Sequence, residues 1–228
     1  MLHDHDDDDL TVISFSTEPP GRPDRRTSPR TVSVLRTALL RTSHGEELCL
    51  VRNISIGGLM AHIFSDLDVA DPITVEFRSE HSVRGQVVWR QDNLAGIQFS
   101  HPIELSEILS SQLESPVKRA PRAPRAEVNV PARIKSAGAW HAVVLRNISQ
   151  GGARLQLGKR QDLDETILLA APGLAAIPGS VRWCTADSAG IAFDQLVPFA
   201  DIARWVADSH RQREATGLPS LPEGPTPL

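Results

Sequence analysis

The sequence predicts a mainly-β protein built as two consecutive copies of one small antiparallel unit, each followed by a helix. Three observations carry that expectation. The stretch RNISIGG, Arg52 to Gly58, returns as RNISQGG, Arg146 to Gly152, 94 positions later (146 less 52). The segments VVWRQDNLAGIQF and VRWCTADSAGIAF keep the same offset, so that Trp89, Gly96, Ile97 and Phe99 are answered by Trp183, Gly190, Ile191 and Phe193. Between these landmarks lie short runs of alternating apolar and polar residues. A period of this length is the size of a domain, well above the short units that must stack to bury a core.

Composition agrees with that division, since 228 residues at 40% hydrophobic hold two domains of about 100 residues each. Cys49 and Cys184 are not related by the repeat offset and form no CxxC pair, so a zinc or redox site lacks its usual spacing. Both are expected to be small buried residues in a reducing compartment. No run is apolar for long enough to cross a bilayer, and MLHDHDDDD is acidic where a secretory signal would be basic. The expectation is a cytoplasmic chain without membrane insertion. The Asn53-Ile54-Ser55 and Asn147-Ile148-Ser149 triplets are therefore not read as glycosylation sites.

Residues 1–22, with the run Asp6 to Asp9, are expected to be a disordered acidic tail. His3 and His5 lie in it, but a tail offers a metal no fixed geometry. Domain one is placed at 23–114, a basic proline-rich linker at 115–126, domain two at 127–213, and a second tail at 214–228. ITVEF alternates Ile73, Val75 and Phe77 with Thr74 and Glu76, and ARLQL alternates Ala153, Leu155 and Leu157 with Arg154 and Gln156, the period of a half-buried strand. VRGQVVW and AGIQF continue the series around the turn residues Gln91-Asp92-Asn93. Several short strands at close spacing argue for a barrel or a sandwich. A helical stripe then closes each copy: Leu105, Ile108, Leu109 and Gln112 in the first, and Phe199, Ile202, Ala203 and Val206 after Pro198 in the second. Each helix could cover its own barrel or pack against the other copy.

The repeated turn has an ordinary structural reading, in which its glycines adopt positive φ and its Asn and Ser side chains bond to nearby backbone. A second feature adds charge. Each copy is preceded by an arginine-rich leader, GRPDRRTSPR with Arg22, Arg25, Arg26 and Arg30 before the first, and Lys118, Arg119, Arg122 and Arg125 before the second. Arg26 and Arg30 form an RxxxR pair. Planar guanidiniums suit a ligand with phosphates and guanine, because the fork grips phosphate oxygens or the O6/N7 edge in pairs. Neutral side chains such as Asn53 and Ser55 would complete such a contact.

RxxxR followed by (D/N)xSxxG in a short β unit with a terminal helix resembles the PilZ domain, the bacterial receptor module for the second messenger cyclic di-GMP. In the first copy the matching residues are Arg26, Arg30, Asn53, Ser55 and Gly58, with Gly57 beside them. The resemblance implies two tandem six-stranded antiparallel β-barrels, each followed by a C-terminal α-helix. It also implies leader arginines that wrap the dinucleotide onto the barrel against the Asn/Ser turn. Arg25 would add a clamp if two stacked ligands bind. In the second copy Asn147, Ser149 and Gly152 are intact and Arg125 corresponds to Arg30, but Pro121 stands four residues before Arg125, with Arg122 one place off. This possible second site is read either as weakened or as non-binding.

These readings lead to a cyclic di-GMP effector without catalytic activity, cofactor or metal, which passes ligand binding to a protein partner through a changed domain arrangement. The alternative is a tandem scaffold or adaptor for a motility, secretion or envelope protein that binds no ligand. A nucleic-acid partner is disfavoured by the absence of tyrosine, 4% aromatic residues and a net charge of −4, so no DNA is expected. Glu104, Glu107, Asp187 and the scattered histidines show no catalytic or metal spacing. Trp89 and Trp183 are assigned to barrel packing, and His62, His101 and His141 to surface or turn positions.

Overall fold

The computed structural model describes residues 32–78, 81–110, 123–158 and 163–216. Alternating sequences become strands throughout. Ile73, Val75 and Phe77 point inward from a strand over Pro72–Arg78, and Ala153, Leu155 and Leu157 do so from one over Gly152–Leu157. The first unit contains β1 (Val32–Thr42), β2 (Gly45–Ser55), β3 (Gly58–His62), β4 (Pro72–Arg78), β5 (His81–Gln91) and β6 (Leu94–Phe99), followed by the short helix α1 (Leu105–Ser110). The second contains β7 (Ala126–Ser136), β8 (Ala139–Ser149), β9 (Gly152–Leu157), β10 (Thr166–Ala171), β11 (Leu174–Cys184) and β12 (Ser188–Phe193), followed by α2 (Phe199–Ala215). Each set closes into an antiparallel barrel, ordered β1-β2-β3-β6-β5-β4 in the first and β7-β8-β9-β12-β11-β10 in the second. A closed barrel leaves no unpaired strand edge. The sequence's choice between barrel and sandwich is thereby settled.

The repeat offset survives in three dimensions. Val32 pairs with Ile54 as Ala126 pairs with Ile148, and Trp89 faces Gly96 as Trp183 faces Gly190. Both tryptophans sit on the outside of their barrels, 40% and 45% exposed, with the indole lying flat over the glycine of the neighbouring strand. A Cβ at Gly96 or Gly190 would collide with that indole. Barrel packing does explain these residues, but on the outer surface, where the ring shields the backbone that glycine leaves bare.

The helices differ. Ile108 of α1 is buried in the first core, with Leu105 packed against it, while Gln112 of the expected stripe lies outside the described residues. Of the expected stripe of α2, Ile202, Ala203 and Val206 are buried and Phe199 is half-buried, and Trp205, Ala207, Ser209 and His210 are buried as well, leaving Asp201, Arg204, Asp208 and Arg211 along an exposed ridge that widens over the last turn. Two surfaces cover the helix. Its Trp205 Nε1 donates to the carbonyl of Pro172 in its own barrel (2.8 Å), and its other side meets the first barrel. The helix therefore does both things that the sequence left open. It runs to Ala215, two residues past the expected limit of the second domain, and β7 begins at Ala126, inside the expected linker.

The contact between domains rests on a doubly apolar hairpin. Ala38, Leu40, Cys49 and Val51 face the first core, whereas their neighbours Leu39 and Leu48, paired across β1 and β2, belong to the hydrophobic cluster of the second domain. A strand buried on both faces reads as a continuous apolar run, as ALL and LCL do here. Polar groups rim this contact. Glu46 accepts the backbone N–H of Glu127 (2.9 Å), His44 Nδ1 meets Glu214 at 2.5 Å, and His210 Nδ1 donates to the carbonyl of His44 (3.1 Å). His210 occupies the space above Gly45, where any Cβ would strike its ring. Buried Glu47 accepts a hydrogen bond from Ser65. Of the two cysteines, Cys49 is buried, which pushes its thiol up to about 12, but Cys184 is exposed at the end of β11, contrary to expectation. Among the described residues no helix is long and apolar enough to cross a membrane.

The two interface histidines titrate in opposite senses. Burial holds His210 below its ordinary value of 6.5, with Arg213 acting in the same direction and the His44 carbonyl and Glu214 against it. Its contribution is complete above 6.5 and declines as pH falls, because the unfolded chain takes up the proton first. The hydrogen bond to Glu214 raises His44 above 6.5, so its contribution is complete below 6.5 and is lost as pH rises through the raised value. Thermal melts between about pH 5 and pH 8 will show both limbs. His210→Ala lowers stability at neutral pH and flattens the acid limb, whereas His44→Ala flattens the alkaline one.

Candidate functional site

The repeated motif sits on a β-bulge. Val51 and Ile54 are both inside the first barrel, so the two residues between them, Arg52 and Asn53, are placed together on the outer surface. The register of β2 slips there against both neighbours, between Val51 and Asn53 on the β3 side and between Ser33 and Arg36 on the β1 side. One extra residue in a strand has this effect. The second barrel repeats the device with Arg146 and Asn147 between Leu145 and Ile148.

Beyond the bulge, the turn closes on itself. Ser55 Oγ donates to the carbonyl of Gly58 at 3.0 Å, and Ser149 Oγ to that of Gly152 at 3.3 Å. The glycines serve a different purpose from the one expected. Positive φ occurs among the described glycines at Gly45, Gly138 and Gly173, not at Gly57, Gly58, Gly151 or Gly152. At Gly58 and Gly152 the need is for space, because a Cβ would strike the carbonyl oxygens of Ile97 and Ile191 on the adjacent strands. The last glycine of the motif thus lets two strands approach.

Although the backbones match, the chemistry of the two faces differs. In the second barrel Asn147 is only 8% exposed, and both ends of its amide are engaged: Arg125 Nη1 donates to its Oδ1 (3.2 Å), and its Nδ2 donates to Glu127 Oε1 (2.9 Å). Arg146 is held by Gln156 through Nε (2.7 Å) and Nη2, and by Asn129 Oδ1 through Nη1 (2.8 Å). At the matching positions of the first barrel, 94 residues earlier, Glu127 is replaced by Ser33, Asn129 by Leu35 and Gln156 by His62. Among the described residues, Arg52 and Asn53 have no side-chain hydrogen bond or ion pair. The face of the second barrel is internally paired, and that of the first shows no such pairing among the described residues.

Of the residues expected to bind ligand, Asn53, Ser55, Gly57 and Gly58 come together on the β2–β3 hairpin, as do Asn147, Ser149 and Gly152 on β8–β9. Arg25, Arg26, Arg30 and Arg122 lie outside the described residues. Arg125 is described, and its equivalence needs correcting. Since β1 and β7 share register at the offset of 94, Arg125 stands where Thr31 does, one place nearer the strand than Arg30.

Sequence reasoning did not single out Arg52, His62 or Arg204, which line one cleft between the first barrel and α2. Arg52 carried a signal, because a basic residue directly before the motif asparagine occurs in both copies. His62 was assigned to the surface or a turn, yet its Nδ1 is buried without a hydrogen-bond partner among the described residues. Its value is held below 6.5, first by burial and then by Arg52 and Arg204. Arg204 comes from the other domain, so no local pattern marks it.

The contrast between the two asparagines has a measurable consequence. Replacing Asn147 by Ala removes both of its bonds and will cost about 1–3 kcal/mol in urea denaturation of the full chain, whereas Asn53→Ala will stay within about 0.5 kcal/mol of the parent.

Comparison with known proteins gives a family. The model of the PilZ domain matches residues 24–115 and again 118–208. No curated protein matches the chain. Similar solved structures include the PlzA protein of Borreliella burgdorferi in complex with c-di-GMP, at 16% identity over 76% of this chain and 87% of that one (TM-score 0.32). They also include the Bacillus subtilis inhibitor of motility MotI/DgrA, at 13% over 81% and 99% (TM-score 0.32), and YcgR of Escherichia coli in complex with c-di-GMP, at 16% over 79% and 85% (TM-score 0.28). With two successive matches that together span most of its length, and a closed six-stranded barrel in each, the chain belongs to the PilZ domain family as a tandem pair.

Proposed function

We propose that the chain is a cyclic di-GMP receptor in which the first barrel binds the ligand and the second serves as scaffold and output. The observation that carries this reading is the asymmetry of the two motif faces. The first presents Arg52 and Asn53 without a side-chain hydrogen bond or ion pair among the described residues, while in the second the equivalent groups bond to Arg125, Glu127, Asn129 and Gln156. An anionic dinucleotide meeting the second face would have to displace those bonds and approach the Glu127 carboxylate. At the first face it meets a guanidinium and an amide that has no side-chain partner among the described residues.

On this reading Arg26 and Arg30, with Arg25, reach the ligand from the leader and supply charge-assisted bonds to phosphate and guanine. Asn53 and the backbone of the turn meet its other side. No catalytic step is assigned. Because α2 lies against the first barrel, a ligand there can influence how the domains pack, and through them a protein partner. The paired face of the second barrel favours a scaffolding role for that domain.

Calorimetric titration of the full chain with cyclic di-GMP tests the proposal. Binding will be lost or weakened ten-fold or more by Arg26→Ala/Arg30→Ala and by Asn53→Ala, since a bond to a charged group is worth about 1.5–3 kcal/mol. The corresponding Asn147→Ala change will leave it within about two-fold of the parent. Tight binding that survives the double arginine change overturns the site assignment, and absence of binding by the intact chain leaves the scaffold reading in its place.

A further inference from the structure

The outer wall of the second barrel around the start of β8 differs from its counterpart in the first. Strand pairing sets Trp140, Lys135, Leu168 and Pro178 side by side across β8, β7, β10 and β11, with Arg133 and Ala170 in the adjacent row. At the offset of 94 the first barrel has Glu46, Arg41, Thr74 and Arg84, with Leu39 and Glu76 beside them. There Arg41 pairs with Glu46 at 2.9 Å and with Glu76 at 3.1 Å, and the second domain covers Leu39. The second barrel has the cation and neither carboxylate. Arg133 and Lys135 form no ion pair among the described residues, and Asp164, beside the β7–β8 turn, accepts the Ala137 N–H.

The result is an apolar surface around an exposed ring, flanked by two cations. Trp140 is 46% exposed, and Arg133 lies over its ring, 5.3 Å from the centroid, which fixes the indole in place. Exposed apolar area of this kind marks a docking surface. Where an aromatic ring forms part of it, a proline-rich segment in the polyproline II form is a fitting occupant, because its backbone is extended before it binds.

The chain supplies a segment of that kind. Proline-rich stretches precede each barrel, but both are arginine-rich and would be repelled by Arg133 and Lys135, whereas 217–228 has Glu223 and no cation. A polyproline II helix turns once in three residues. In that form Pro219, Pro222 and Pro225 share one edge, Leu218 and Leu221 the next, and Ser220, Glu223 and Thr226 the third. Two edges are apolar and one is polar. The segment also starts close to the wall, since Arg213 in the last turn of α2 donates to the carbonyl of Asn129 (3.0 Å), and Asn129 stands on β7 four residues before Arg133. Twelve residues (228 less 216) span about 37 Å at about 3.1 Å each. Crossing four strands takes about 15 Å.

We propose that residues 217–228 lie across this wall as a polyproline II segment, with their proline and leucine edges against Trp140, Leu168 and Pro178 and with Glu223 within reach of Lys135. The second barrel is then a docking surface for a proline-rich segment of its own chain, at the opposite end of β8 from the repeated motif.

Fluorine NMR of the full chain labelled with fluorotryptophan tests this, each of the four tryptophans being assigned by its own change to Phe. Trp140 and Trp183 are 46% and 45% exposed among the described residues, so on a bare wall their resonances shift alike when water is replaced by heavy water. Under the segment, the Trp140 shift falls well below that of Trp183 in the parent. It rises to match Trp183 in Leu218→Ser/Leu221→Ser and part of the way in Glu223→Lys. These changes lie outside both barrels, so they read docking rather than folding. Equal shifts in the parent, or a parent difference that the leucine changes leave in place, overturn the proposal. A difference that disappears on dilution assigns the wall to a second copy of the chain and overturns it as well.

Discussion

The outward-facing pair Leu39 and Leu48 is the constraint from which the arrangement of the two domains follows. These side chains lie on the wrong side of the β1–β2 hairpin for the first core, and the second domain covers them. Full burial of a leucine is worth about 1.5–3 kcal/mol relative to exposure, so leaving the pair in water would cost much of the stability of a small domain. Once α2 lies over this hairpin, the rest is geometry. His210 drops into the gap above Gly45, His44 meets Glu214, and the start of the helix arrives beside the outer surface that carries Arg52.

Duplication conserved the backbone and changed what it displays. Both barrels keep the bulge that exposes Arg and Asn together, the Ser-to-Gly closure of the turn, and the tryptophan laid over a glycine. These features are set by strand sterics, which tolerate few side chains. The positions around the bulge are free of that restraint, and there the copies part. Ser33, Leu35 and His62 stand in one where Glu127, Asn129 and Gln156 stand in the other. Long polar side chains in the second barrel close the hydrogen-bond network, which stabilises that domain and consumes the groups a ligand would need. In the first, Arg52 and Asn53 have no such side-chain partner among the described residues.

Much of this was legible in advance because it repeats or alternates. Ile73, Val75 and Phe77 announce a half-buried strand with no knowledge of its neighbours, and the matched motifs announce two domains. The errors came where a residue's role depends on contacts remote in sequence. Gly58 and Gly152 were expected to adopt positive φ, but the carbonyls of Ile97 and Ile191 are what exclude a side chain there. Cys184 resembled a core residue until β11 carried it to the surface.

The sequence by itself determined the duplication, the period of the strands, the helical stripe of α2 and the identity of the motif residues, because each is written in interactions between near neighbours along the chain. Only the tertiary structure decided that α2 is buried on two sides, that Asn147 is engaged while Asn53 has no side-chain partner among the described residues, and that Arg52 and Arg204 line one cleft. Those outcomes depend on barrel closure and on the docking of one domain against another, which bring together residues that no local pattern connects.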